Sequence, residues 1–266
     1  MTTLVSELRF PEGPAFDSHQ NCWCVEQKGR GLVSLAEHRS RRFEVGGCPN
    51  GIAIDPTQRV WFCDSGLNSI RIFEPKTERI STVVNTLDGA PLHMPNDLAF
   101  DPLGQLVFTC PGPTLDAGDG YICVYNLDNT LYKIASGLFY PNGLAFTPDG
   151  KRLLVAETGK KRIWIGDWNA DPGTWTNKRI FAETGGMIGP DGMALDEDGY
   201  LYVAIFGSGH IRVFDPEGRH HEDLPTPGMN PTNCAFDPFG RWGLVVTEAE
   251  TGTLISLPIN KKGVII

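Results

Sequence analysis

The chain has 266 residues, 41% of them apolar and 21% charged, with a formal net charge of −9. That balance is ordinary for a globular protein; the negative charge argues against nucleic acid and anionic membranes as partners, since both reward clustered lysine and arginine. No run of about 18 apolar residues exists, so no membrane span is expected, and MTTLVSELRF lacks a basic segment followed by an apolar one, so no signal peptide is expected.

The first element in chain order is PEGPAF, residues 11–16, followed by the turn DSHQ and the β-rich run CWCVE. Its frame, Pro-x-x-x-Ala, returns as PNGIA from Pro49, PNDLA from Pro95, PNGLA from Pro141, PDGMA from Pro190 and PTNCA from Pro231. Each copy leads into a turn (DPTQ, DPLG, TPDG, DEDG, DPFG) and then a run such as VWFCD, LVFTC, LLVAE, YLYVA or WGLVV. Aspartate, proline and glycine supply the turn conformations. A second strand follows, clearest in SIRIFE, GYICVYN, HIRVFD and GTLISL, and turns such as EPKT, NLDN and DPEG lead to a third. No window holds a sustained 3.6-residue apolar period, so helix content should be low.

Six copies of a four-stranded unit predict an all-β, six-bladed β-propeller, with blades ringing a central channel. One domain, 1–266, accounts for the chain. Residues 1–9 and 251–266 lie outside the frame and are expected to pair within one blade and close the ring. Seven cysteines at no zinc or disulfide-framework spacing read as reduced, small apolar residues, which points to the cytoplasm. Trp23, Trp61, Phe108, Tyr202 and Trp242 fall in strands and read as packing between blades.

In a propeller the innermost strand of each blade lines the channel. The residue after the frame proline should therefore place six side chains around one end: Glu12, Asn50, Asn96, Asn142, Asp191 and Thr232. Asn and Asp at such a position can serve turns alone. Glu is a poor local cap, however, and Glu12 and Asp191 stand only two blades apart in a closed ring. Two carboxylates converging on a low-dielectric channel repel unless a cation lies between them. Neutral carboxamides beside two carboxylates suit a hard divalent ion.

The frames P11-E-G-P, P95-N-D, P141-N-G-L-A-F and G189-P-D-G, with the ending V246-T-E-A-E-T-G, resemble the gluconolactonase/senescence-marker-protein (regucalcin)/luciferin-regenerating family over nearly the whole chain. The resemblance implies a six-bladed propeller that hydrolyses a small lactone with one divalent metal, Ca²⁺ first and Mg²⁺, Mn²⁺, Zn or Fe as other candidates. By position it implies Glu12, Asn142 and Asp191 as metal ligands, Asp191 as general base, and Asn96 as a residue touching substrate or completing the metal shell. Members that act on sugar lactones often carry Arg two residues before the Asn that Asn96 matches. Met94 stands there, which points to a less polar, alkyl-bearing lactone.

Around this set, His93 lies within reach of the pocket mouth, and Asn50 reads as pocket lining. Asp97 and Thr232 read as residues supporting that shell. Glu26, Asp64, Glu157 and Glu248 end the second strand of four units, and their repetition suggests a structural role at the opposite end of the channel. The loop TLDAGDG, 114–120, is either a lid or a plain connection, and His220-His221 reads as surface. The expected partner is a small molecule, with the protein a monomer or small homo-oligomer. The competing readings are a calcium-binding regulatory propeller without catalysis, a metal-dependent esterase or phosphotriesterase-like hydrolase, and an interaction scaffold.

Overall fold

The computed structural model describes residues 1–37 and 39–263. Six four-stranded antiparallel sheets make a β-propeller; in five of them the strands run in sequence order from the channel outwards. The innermost strands of blades 1 to 6 are Pro11–Phe16, Pro49–Ile54, Leu98–Phe100, Pro141–Phe146, Gly189–Leu195 and Pro231–Phe236. A short hairpin, Thr86–Leu87 with Ala90–Pro91, stands between blades 2 and 3. One 3₁₀ turn, Thr158–Lys160, is the only helical piece among the described residues, and no helix is long and apolar enough to cross a membrane.

The fold follows from two local devices. The turn aspartates fold back on their own backbone: Asp17 Oδ1 accepts from the Asn21 amide at 2.8 Å, and Asp55 and Asp101 do the same for Arg59 and Gln105. These Asx turns fix where each innermost strand reverses. The second strands, such as Cys22–Glu26, Val60–Asp64 and Leu106–Cys110, are buried along their full length. They are sandwiched between neighbouring blades, so both faces are apolar and the runs do not alternate. One apolar cluster fills each interface between consecutive blades, for instance Trp61, Ile72, Leu98 and Phe108 between blades 2 and 3. All seven cysteines are free; six are buried, and Cys48 is partly so.

The ring is closed by the chain's first strand. Thr2–Val5 pairs with Thr253–Leu257 and becomes the outermost strand of blade 6. Val5 and Leu8 then join Val245 and Leu254 of blade 6 and Cys24 of blade 1 in one core.

Candidate active site

The proline end of each innermost strand forms one mouth of the channel. There the pairing slips: Pro49 faces Asp64 but Ile52 faces Phe62, so Asn50 and Gly51 oppose the single residue Cys63. Equivalent irregularities follow Glu12, Pro141, Pro190 and Pro231. A β-bulge breaks the in–out alternation of a strand and re-aims side chains. Both residues after the frame proline can consequently serve the axis.

The first of these positions brings together Glu12 (4% exposed), Asn142 (5%), Asn96 (8%) and Asp191 (8%). Asn50 is buried beside them, and its carboxamide and that of Asn96 stay outside the hydrogen-bond network among the described residues. Asn142 is fixed: its amide nitrogen donates to Thr158 Oγ1 at 3.2 Å and also steadies Asp191. Thr158 in turn donates to the Pro190 carbonyl at 2.6 Å, tying blade 4 to the residue before Asp191.

The second position is Gly in four blades, and the exceptions are Asp97 and Asn233. Blades 3 and 6 face each other across the ring, and these two side chains meet on the axis, where the Asn233 carboxamide partly offsets the rise in proton affinity of both Asp97 and Glu12. The glycines make the room. A Cβ at Gly192 would fall inside the Asn233 carboxamide, and one at Gly51 would fall on the Asp97 carboxylate. Asn233 Oδ1 accepts from the Cys234 amide at 2.8 Å, which turns its nitrogen to the carboxylates.

Burial raises the proton affinity of all three carboxyls. Glu12 is held well above the usual carboxylate range by desolvation, then by Asp191 and Asp97. Asp191 is raised by desolvation and then by Asp97. Asp97 is pushed up to about 7, again by burial. No lysine, arginine or histidine pairs with any of them among the described residues; the buried Arg71 is spent on Asp64 at 2.7 Å. Tyr140 stands over the same group, and burial followed by Asp191 and Glu12 pushes its phenol up to about 12, so it stays a hydrogen-bond donor.

This donor set fits a divalent cation, because converging buried carboxylates need a positive charge that the protein does not supply. Among the described residues no three His, Cys, Asp or Glu gather round one point. An ion would take two carboxylates and complete its shell with carboxamide oxygens, a hard, all-oxygen set suited to Ca²⁺.

The remaining predicted residues fall at the edge. Thr232 does not face the ring: it is fully buried, and its hydroxyl donates to the Pro11 carbonyl at 2.7 Å, anchoring the segment that carries Glu12. Met94 is half-buried at the mouth, its amide donating to Asn68 Oδ1 at 3.1 Å. His93 packs on the loop 111–119, with Nδ1 3.7 Å from Asp119, and is 38% exposed. That loop leans onto blade 4, where Gly118 abuts the Phe139 ring.

The expected position of Glu26, Asp64, Glu157 and Glu248 is corrected. Pro11 pairs with Glu26, Pro49 with Asp64, Pro141 with Glu157 and Pro231 with Glu248, so all four lie at the same end as the site. An antiparallel partner returns to the end where the first strand began. Their carboxylates accept from the amides of Arg9, Cys48, Phe139 and Asn230, which fixes the turns entering the frames.

A family model described as the SMP-30/gluconolactonase/LRE-like region matches residues 10–250. The chain belongs to that family. A gluconolactonase from Zymomonas mobilis is 35% identical over 210 residues, 72% of this chain and 58% of that protein's length. A diisopropyl-fluorophosphatase from Loligo vulgaris is 28% identical over 295 aligned positions, 98% of this chain and 93% of its own. Among solved structures, a gluconolactonase from Xanthomonas campestris superposes with a TM-score of 0.84 at 28% identity, covering 95% of this chain and 86% of that one. The family's propeller and this chain's therefore share one architecture.

Proposed function

We propose that this SMP-30/gluconolactonase-family propeller is a divalent-metal-dependent lactonase that opens a small lactone to its hydroxy acid. The observation that carries the reading is the pair Glu12 and Asp191, buried with carboxamides around them and with no protein cation among the described residues. The hydrolase names borne by the relatives support the same chemistry. Glu12, Asp191 and Asn142 would hold the ion, which when bound supplies the positive charge that polarises an acyl carbonyl.

The chain's own groups do the rest. Asn96, its carboxamide unspent, bonds the lactone and orients its carbonyl. Water attacks that carbon; a new C–O bond forms and the ring C–O bond breaks. Asp191 takes the water proton at a carboxylate oxygen and returns it to the departing alkoxide, the general-base role. Glu12 Oε2 accepts from the Gly13 amide at 3.1 Å, which holds the carboxylate in place.

The test is a pH-indicator assay of a lactone panel on the purified protein, with added Ca²⁺ and after EDTA, and with Asp191→Ala and Glu12→Gln. Turnover should disappear on stripping and return with metal, and Asp191→Ala should lose about a hundredfold or more. Undiminished turnover by stripped protein would sink the metal reading. The diisopropyl-fluorophosphatase match along 98% of the chain favours a second reading, phosphotriester or aryl ester hydrolysis at the same site, so both ester types belong in the panel.

A further inference from the structure

The residue before each frame proline forms a collar above the carboxylates. In chain order it is Phe10, Cys48, Met94, Tyr140, Gly189 and Asn230. None is charged, and only the phenol and one carboxamide can bond a hydroxyl. Phe10, Met94 and Tyr140 all adopt the left-handed backbone conformation, with φ of 61°, 55° and 59°. That conformation is rare for bulky side chains, and where it recurs at a functional site the surrounding structure must enforce it. Here the enforcement is visible: Glu26 and Glu157 clamp the amides of Arg9 and Phe139, each one residue before the strained position.

Phe10 belongs to blade 1 and Phe206 ends the second strand of blade 5, with blade 6 between them. Their rings nevertheless lie 6.3 Å apart, and the exposed Lys28 ammonium stands 4.6 Å from the Phe10 ring centroid. Tyr140 lies close enough to Asp191 and Glu12 for both to raise its phenol's proton affinity. Met94 shares the frame position and the backbone conformation of Phe10 and Tyr140.

We infer that the substrate of this site carries an apolar substituent, an alkyl or aryl group on the lactone ring, seated against Phe10, Phe206 and Met94 while its acyl group meets Asn96 below. This rests on the lactonase reading. A polyhydroxylated ring entering the same collar would bury hydroxyls with too few partners, which costs more than an apolar contact returns. Tyr140 and Asn230 suffice for the one or two oxygens of a simple lactone.

The Ca²⁺-supplemented protein is assayed with a homologous series of γ-lactones of lengthening alkyl chain and with glucono-δ-lactone. The ratio kcat/KM should climb about two- to fourfold per methylene until the collar is filled, the upper figure being the transfer value of a buried methylene. Phe206→Ser and Phe10→Ser should flatten the climb, while Phe206→Leu keeps most of it. A flat series in the unaltered protein with glucono-δ-lactone turned over as well or better overturns the inference and leaves the lactonase reading standing. A climb that survives both serine variants overturns the seat. No turnover of any lactone removes both the inference and the reading beneath it.

Discussion

Replacing Asp97 by Asn should stabilise the metal-free protein at neutral and alkaline pH. The side chain keeps its shape and its acceptor for the Leu98 amide, at 2.9 Å, but loses a charge buried on the axis. Each tenfold change in proton affinity is worth about 1.4 kcal/mol. The rise of Asp97 from 3.8 to about 7 therefore costs the folded protein about 4 kcal/mol wherever the carboxylate is ionised in both states. About 1 kcal/mol returns as a loss, because an Asn there presents an amide to the Asn233 amide in place of an acceptor. The net gain is about 3 kcal/mol, or roughly 6–12 °C in Tm for a chain of this size. The folded state binds the proton more tightly than the unfolded one, so stability falls as pH rises from the unfolded value near 3.8 towards the folded value near 7. The variant's advantage should be full above that window, shrink through it and vanish near its lower end. Thermal melts in EDTA across the window, followed by circular dichroism, read this directly. A variant that melts no higher than the parent under alkaline conditions, or a gap that does not change with pH, would refute the electrostatic reasoning.

Two further perturbations test the scaffold of the site. Gly192→Ala should push the Asn233 carboxamide off the axis and release Glu12, costing about 1–3 kcal/mol of stability and weakening Ca²⁺ binding in a calorimetric titration; unchanged binding would show that Asn233 does not hold Glu12. Deleting residues 1–5 strips the outermost strand from blade 6 and bares the edge of Thr253–Leu257, so the truncated chain should melt earlier and associate in size-exclusion chromatography, as open edges do.

Much of the architecture is legible because each blade repeats one grammar: proline and alanine at fixed spacing, an Asx turn, then a doubly buried strand. The grouping of Glu12, Asn96, Asn142 and Asp191 is legible for the same reason, since equivalent positions in equivalent blades tend to face one axis, although Thr232 at the same position of blade 6 turns away to the Pro11 carbonyl. Asn233 was hidden by the bulge. On a regular strand the residue after Thr232 points away from the channel, and only the extra residue in the pairing returns it to the axis. Its one trace in the sequence is that the position is otherwise Gly or Asp97. Thr158 and Thr109 are hidden differently: their hydroxyls reach backbone carbonyls of the next blade, Pro190 and Asn142, and contacts between blades leave no spacing to read. The acidic ends of the second strands were misplaced because repetition reveals a shared role without revealing which end of an antiparallel pair hosts it.

The hydrogen bond from Thr232 to the Pro11 carbonyl spans 221 residues. The blades between can each collapse on the one before as the chain leaves the ribosome, since their contacts are mostly with the preceding unit. Glu12 has no such early neighbour on its far side. Its seat is finished by Thr232 and Asn233, which are among the last parts of the propeller to be made. On the proposed metal reading, the first ligand in the sequence is thus the last to be set, and a nascent or frayed ring holds the carboxylates apart in water, where they would bind ions poorly. Ion affinity then serves as a readout of a closed circle, complete only when the first and last blades meet.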